Sequence, residues 1–183
     1  GASVVVIGCG GVGQAAIQGA RVAGAGRIIA VDPQAAKRDH ALKLGATDAI
    51  DPADAEPVAA VKELTHGRGA DYAFEVVGSS DVLMQAYQCV RRGGTVVAVG
   101  IPHGAPTLAL PASLVSDGKH VVGCVYGTAR VREFFPMLVG MVERGQLDVA
   151  SMVSRTIALS DVNGAFEAIE SGDVVRSVIT SFD

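Results

Sequence analysis

The stretch that decides the fold is residues 3–13, SVVVIGCGGVG, in which a β-branched run leads directly into a glycine-rich loop. The pattern Gly-x-Gly-x-x-Gly falls on Gly8, Gly10 and Gly13, and an Ala-rich segment of helical character follows it. Glycines at this spacing are informative only between a strand and a helix, which is the context found here. Gly8 permits the tight turn, Gly10 admits a pyrophosphate close to the backbone, and Gly13 lets the helix pack against the strand. The loop therefore predicts phosphate binding at a helix N-terminus, with Gly11 and Val12 in the same loop.

The same alternation of short Val/Ile runs and helical segments continues along the chain. We predict strands at residues 3–7, 27–32, 47–51, 71–77, 95–99 and 120–126, and helices at residues 13–22, 35–44, 53–64 and 81–91. Strands separated by helices pair in parallel through right-handed crossovers. Apolar runs without polar alternation indicate a sheet that is covered on both faces. Residues 1–126 are thus predicted to form an α/β fold, a doubly wound, parallel, six-stranded Rossmann sheet.

The order of predicted elements changes after residue 126. The pattern predicts a helix at residues 131–144 that contains Pro136, an extended segment at residues 151–159, a helix capped by Ser160, and a strand at residues 174–182. We interpret residues 127–183 as a C-terminal helix-strand-helix-strand extension.

Asp32 stands 19 positions after Gly13, where the second predicted strand ends. A carboxylate at this place accepts hydrogen bonds from the adenosine ribose hydroxyls of NAD, and it repels the 2′-phosphate of NADP. Pro33 and Gln34, which follow, offer no cation to a phosphate, whereas Lys37 and Arg38 lie one turn into the next helix and oppose the preference. We predict that NAD is bound in preference to NADP.

Composition excludes several classes of function. The net charge is −4 with no basic cluster, so we expect neither a nucleic-acid partner nor a membrane partner. The three cysteines, Cys9, Cys89 and Cys124, are far apart and odd in number, which is typical of a reducing compartment and predicts a cytoplasmic protein. The chain starts at Gly1 and enters a strand at once, and we interpret it as a piece of a longer protein.

Taken together, the motifs resemble those of the zinc-dependent medium-chain alcohol dehydrogenases, with a finer likeness to class III and formaldehyde dehydrogenases. Besides the glycine loop, the resemblance rests on residues 29–32 (IAVD), 44–47 (LGAT), 74–78 (FEVVG), 99–102 (VGIP), 165–166 (AF) and 176–178 (RSV). The tail pattern distinguishes this family from other Rossmann proteins.

The resemblance implies a role for each matching position. Asp32 and Lys37 would bind the adenosine ribose, and Arg176 would reach the pyrophosphate. The cofactor cleft and the nicotinamide would be contacted by Val76, Val77, Val99, Ile101, Cys124, Val125 and Tyr126.

The implied reaction of the parent protein is hydride transfer between an alcohol and NAD⁺, giving an aldehyde or ketone. Residues 108–110 and the sixth strand resemble the family's dimerisation edge, which implies a homodimer or homotetramer.

Zinc, in contrast, has no ligand set in this sequence. There is no C-x-x-C, and His40, His66, His103 and His120 are scattered, so we expect solvated or capping histidines rather than metal ligands. We interpret Cys9 as a small buried side chain rather than a catalytic one. The resemblance places zinc and the catalytic residues in a preceding domain, so this chain is predicted to bind NAD and to be inactive alone.

Two other classes remain as alternatives. The start of the loop also opens S-adenosylmethionine-dependent methyltransferase sites, but those usually carry an acid where Val6 and Ile7 stand. A non-catalytic regulatory NAD-binding module would share the loop and Asp32 but would not explain residues 99–102 or Arg176. Two further dehydrogenase classes are disfavoured: a short-chain enzyme needs Tyr-x-x-x-Lys, which is absent, and zinc-free quinone reductases prefer NADP, which Asp32 opposes.

Overall fold

A parallel sheet with the strand order β3-β2-β1-β4-β5-β6 forms the centre of the first of two compact units, Gly1–Val131 and Arg132–Asp183. The computed structural model describes residues 1–104, 107–171 and 174–182. The elements of the first unit are β1 (Ser3–Ile7), α1 (Gly11–Val22), β2 (Arg27–Val31), α2 (Ala35–Leu44), β3 (Asp48–Ile50), α3 (Pro57–Leu64), β4 (Ala70–Glu75), α4 (Ser80–Cys89), β5 (Val90–Ala98), α5 (Ser113–Asp117) and β6 (His120–Gly123).

Strand β1 shows why this sheet needs helices on both faces. Successive side chains of a strand point to opposite faces, and Val4, Val5 and Val6 are all buried. Val5 joins a core cluster that contains Val58 of α3 and Ala86 of α4. On the other face, a Cβ on Gly13 of α1 would lie 3.5 Å from a methyl group of Val6. The prediction of a doubly wound, six-stranded parallel Rossmann sheet is therefore confirmed.

Boundaries differ from the prediction in three elements, α4, β5 and α3. Helix α4 ends at Cys89 rather than at residue 91, and β5 begins at once because Val90 pairs with Ala70 of β4. Gly94 lies inside β5, where a Cβ would meet the carbonyl oxygen of Asp71 at 3.1 Å. Helix α3 starts at Pro57 rather than at residue 53, because both carboxylate oxygens of Glu56 accept N–H groups of its first turn.

The sixth strand is also shorter than predicted. It ends at Gly123, and Tyr126–Thr128 form a 3₁₀ turn in which all three residues have positive φ angles. A left-handed backbone cannot continue a β ladder, so the predicted extent of 120–126 is wrong at its end.

The second unit contains the predicted helix-strand-helix-strand pattern, but the N-cap of its second helix is Asp161 rather than the predicted Ser160, which lies in a preceding 3₁₀ turn. Its elements are α6 (Val131–Glu143), β7 (Arg155–Ala158), α7 (Val162–Glu170) and β8 (Ser177–Ser181), and β7 pairs with β8 in parallel. Pro136 lies inside α6. In the described parts of both units, no helix has the length and apolarity that crossing a bilayer requires.

Candidate functional site

A cleft of about 560 Å³ opens at the carboxyl ends of β1, β2 and β4. Strands β1 and β4 are neighbours, but the chain continues from them toward opposite edges of the sheet. Open α/β sheets bind ligands at such a switch point. The cleft is lined by Ile7, Gly8, Gly10, Val31, Asp32, Pro33, Gln34, Lys37, Pro52, Val76, Val77, Val82 and Gln85.

The three motif glycines differ in what requires them. Gly8 has φ +94°, and a Cβ on it would lie 2.8 Å from a methyl group of Val77. A Cβ on Gly13 would overlap the carbonyl oxygen of Gly8. Gly10, in contrast, has an ordinary φ of −70° and no atom within 4 Å of the place a Cβ would take. The fold itself requires Gly8 and Gly13, while the space beside Gly10 is open to the cleft.

Helix α1 presents its N-terminus at this loop. Gly10 is its N-cap and supplies no side-chain hydrogen bond, and the first turn carries no acidic residue. The N–H groups of a first helical turn and the helix dipole attract an anion. Gly11 and Val12 begin the helix, and the Val12 side chain is exposed. The loop is thus suited to a phosphate group.

Asp32 is nearly buried and links the two turns that border the cleft. One carboxylate oxygen accepts the N–H of Cys9 at 2.8 Å, and the other accepts the N–H of Gln34 at 2.9 Å. A carboxylate oxygen can accept more than one hydrogen bond, so the acid can hold the loop and still accept ligand hydroxyls.

Helix α2 places two cationic side chains, Lys37 and Arg38, near Asp32, and the two differ in their contacts. Lys37 lines the cleft. Arg38 instead contacts the backbone just after β2, where its Nη1 donates to the carbonyl oxygen of Asp32 at 2.7 Å. Its Nη2 lies 2.8 Å from Oδ2 of Asp51. Only Lys37 is therefore directed toward the cleft.

The turn after β4 carries the two valines that the resemblance placed at the cofactor. Val76 and Val77 both line the cleft. Glu75, which is buried, holds this turn: its Oε1 accepts the N–H of Val77 at 2.8 Å and the N–H of Gly78 at 2.7 Å.

Five other predicted residues of the first unit do not line the cleft. Val99 and Ile101 follow β5, where Gly100 packs against Gly78. Cys124, Val125 and Tyr126 follow β6, and the last two are strongly exposed. Arg176 precedes β8 in the second unit, where its carbonyl oxygen accepts the N–H of Ser154 at 2.9 Å. The structure brings together Gly8, Gly10, Asp32, Lys37, Val76 and Val77.

Cys9 belongs to the glycine loop after β1, and its side chain is fully buried. Burial, reinforced by the negative charge of Asp32, raises the pKa of its thiol to about 12. The thiolate is the reactive form of cysteine, so Cys9 acts as a small core residue. Among the residues that the structure describes, no three His, Cys, Asp or Glu side chains cluster as metal ligands do.

Sequence reasoning missed Glu75 and Asp51 as supports of the site. The available signal for Glu75 was a charged residue between two apolar neighbours, Phe74 and Val76, at the end of a strand, because a buried carboxylate needs hydrogen-bond donors. For Asp51 no local signal existed, since its partner Arg38 lies 13 positions earlier. Pro33, Gln34, Pro52, Val82 and Gln85 also line the cleft without having been predicted to.

Comparison with known proteins gives a consistent set of relatives. The profile of the family described as zinc-binding dehydrogenase matches residues 11–144. The S-(hydroxymethyl)glutathione dehydrogenase of Synechocystis sp. is 38% identical over 181 residues, which is 98% of this chain and 49% of that protein. Alcohol dehydrogenase 3 of Hordeum vulgare is 36% identical over 97% of this chain and 48% of its own length.

Solved structures agree with these relatives. Benzyl alcohol dehydrogenase of Acinetobacter calcoaceticus superposes with a TM-score of 0.95 at 32% identity, over 99% of this chain and 50% of that one. An alcohol dehydrogenase zinc-binding domain protein of Burkholderia ambifaria gives 0.95 at 33% identity, over 100% and 49%. The chain spans about half the length of the relatives that it matches.

Proposed function

Since the chain belongs to the family of zinc-binding dehydrogenases, we propose that it is the NAD(H)-binding part of an alcohol dehydrogenase that transfers hydride between an alcohol and NAD⁺. Residues 1–126 would form the NAD-binding domain, and residues 127–183 would be an extension toward the catalytic part. The named relatives act on alcohols or on S-(hydroxymethyl)glutathione, so the substrate class is a small alcohol or aldehyde.

The observation that carries the proposal is the combination of Gly10 and Asp32 on one cleft. Nothing within the described chain requires glycine at position 10, whereas a pyrophosphate that approaches the backbone there would. Asp32 sits across the same cleft and offers its remaining acceptor capacity. A dinucleotide needs both features, a phosphate cradle and a ribose acceptor, and so it fits the residues present.

Each residue then has a part in binding. The N-terminus of α1 holds the pyrophosphate, Asp32 accepts the ribose hydroxyls with Lys37 beside it, and Val76 and Val77 cover one side of the cofactor. From the family resemblance we further assign the nicotinamide end to Val99, Ile101, Cys124, Val125 and Tyr126, and a pyrophosphate contact to Arg176. The bound cofactor supplies hydride chemistry, and the chain supplies its position.

Zinc does not fit the described residues of this chain, because they contain no cluster of ligands. We therefore assign the metal and the catalytic groups to the parent protein outside this chain. The chain itself is proposed to bind cofactor without turning over an alcohol.

Two further properties belong to the proposal. A cytoplasmic location is supported by the three cysteines, all of which are free. A homodimer or homotetramer is supported by β6, which stands at the edge of the sheet. The alternatives, a methyltransferase and a non-catalytic NAD-binding module, are not favoured by the family match or by the named relatives.

The testing experiment is calorimetric titration of the chain with NAD⁺ and NADP⁺, for the wild type and Asp32→Asn. We expect NAD⁺ to bind at least about tenfold tighter than NADP⁺, and the substitution to remove most of that difference, because it removes a charged acceptor. Asp39→Asn, an exposed site on α2, is the matched control for loss of one charge. Equal binding of both nucleotides that is indifferent to Asp32→Asn would overturn the NAD assignment. Thermal unfolding of each variant checks that it is folded.

A further inference from the structure

The ion pair between Arg38 and Asp51 is more enclosed than an ordinary surface pair. The two side chains are only 17% and 20% exposed, and Nη2 of Arg38 lies 2.8 Å from Oδ2 of Asp51. The guanidinium also donates through Nη1 to the carbonyl oxygen of Asp32 at 2.7 Å. Arg38 is thus held at two points immediately beside the residue that faces the ribose.

Asp51 is itself fixed in place by the backbone. Its Oδ1 accepts the N–H of Ala53 at 2.9 Å, in the turn that follows β3. Strand β3 pairs with β2, so that Val31 stands opposite Ile50 and the two following aspartates, Asp32 and Asp51, end neighbouring strands. Because its acceptor is positioned by the sheet, Arg38 is directed away from the cleft that Lys37 lines.

We propose that Asp51 is a specificity-determining residue, which favours NAD over NADP by holding Arg38 where it cannot pair with a 2′-phosphate. The inference rests on the proposed function and deepens it. Asp32 disfavours the phosphate by repulsion, and Asp51 withholds the cation that would otherwise compensate for that repulsion.

The chemistry of arginine explains why its position matters. An arginine near the end of the second strand is what accommodates the 2′-phosphate in NADP-binding Rossmann domains. Its planar guanidinium binds a phosphate through two parallel hydrogen bonds, which a lysine cannot do. In this chain the same two-point capacity is used by Asp51 and the carbonyl oxygen of Asp32, so a phosphate would have to displace both.

The experiment is titration of the chain with NAD⁺ and NADP⁺ for the wild type, Asp51→Asn, Arg38→Met and the double variant. Asparagine keeps an acceptor for the N–H of Ala53 and removes the charge. We expect Asp51→Asn to tighten NADP⁺ binding about tenfold, since one charge-assisted contact becomes available. The affinity for NAD⁺ should change by less than about twofold, because NAD⁺ has no 2′-phosphate and loses no charge-assisted contact in this variant. The gain should be absent from the double variant, and Asp51→Glu should restore the wild-type ratio.

Asp48→Asn is the matched control, because Asp48 pairs with Arg27 at the opposite end of β2 and β3. It removes the same charge from the same strand pair and should leave the NADP⁺ affinity unchanged. Arg38→Met alone should also leave the NADP⁺ affinity unchanged. This variant tests the inference even if Asp51→Asn fails to fold. The inference is overturned if Arg38→Met weakens NADP⁺ binding, if Asp51→Asn has no effect, or if its effect persists without Arg38. Failure of the wild type to bind NAD⁺ would instead reject the proposed function, and this inference with it.

Discussion

The three glycines of the motif after β1 are not all required for the same reason. Gly13 is required by the contact of α1 with the carbonyl oxygen of Gly8, and Gly8 by its positive φ angle and the nearness of Val77. Gly10 has neither constraint. At this scale, the motif contains two glycines that the fold requires and one, Gly10, that the fold does not require.

Substitution by alanine should distinguish the two kinds of glycine. Gly13→Ala is expected to lower the free energy of unfolding by roughly 2–4 kcal/mol, because the new Cβ overlaps backbone that cannot easily move. Gly10→Ala is expected to change it by less than about 0.5 kcal/mol and to weaken NAD⁺ binding. Urea unfolding and calorimetric titration of both variants measure the two effects. Equal destabilisation by the two substitutions would contradict the distinction.

At the scale of elements, a polar cluster ties the N-terminal ends of three strands together. Asp71 of β4 accepts the N–H of Ser3 at 2.7 Å, the hydroxyl of Ser3 at 2.8 Å and Nε of Arg91 at 2.6 Å. In return, the N–H of Asp71 donates to the Ser3 hydroxyl. Because β1 and β4 are also the central pair of the sheet, this cluster joins the halves of the fold at the end opposite the cleft.

The cluster makes stability depend on pH. The hydrogen bond from the Ser3 backbone, with help from Arg91, lowers the pKa of Asp71 to about 2 from an ordinary value of 3.8. A folded-state pKa below the unfolded value stabilises the fold above pH 4, and the contribution is lost as pH falls from 4 toward 2. Asp71→Asn should therefore cost on the order of 1 kcal/mol at pH 7, discounted for partial exposure. Urea unfolding at pH 7, 5 and 3 should show this difference shrink only at the lowest pH. A difference that stays constant would contradict the assignment.

The elements predicted well from the sequence are those whose signals are local. A β-branched run, glycines at fixed spacing and an Ala-rich helix follow one another in β1 and α1, so loop and helix were recognised together. The start of β5 could not be predicted, because it depends on Val90 meeting Ala70 across 20 positions. The end of β6 was missed because Tyr126 and Thr128 adopt positive φ angles that their residue types rarely take.

The residues of the site also fall into those with a local sequence signal and those positioned by contacts between distant residues. The loop glycines and Asp32 were predictable, because strand ends and motif spacing locate them within one βαβ unit. The pairing that turns Arg38 away from the cleft was not, because it depends on the register between β2 and β3.

At the scale of the whole molecule, β6 leaves one edge of the sheet without a partner strand among the described residues. An edge strand is a natural surface for pairing with a second copy, and Val122 on it is 44% exposed. We expect the chain to be a dimer in solution and Val122→Lys to shift it toward the monomer, because a charge opposes edge pairing. Sedimentation equilibrium measures this. Leu42→Lys on α2, which is 42% exposed, is the matched control, and a monomeric wild type would reject the expectation.

The strand order also has a consequence for synthesis of the chain on the ribosome. Strand β1 lies beside β2, but its other neighbour, β4, follows about 70 residues later, since Val4 pairs with Tyr72. At about 5–20 residues per second, β1 waits several seconds for that neighbour. The cleft takes Gly10 and Asp32 from the first half and Val76 and Val77 from the second, so its lining is complete only after β4 has been synthesised. The first half must emerge with one edge of β1 unpaired, and the interval before β4 arrives is when a chaperone would be of most use.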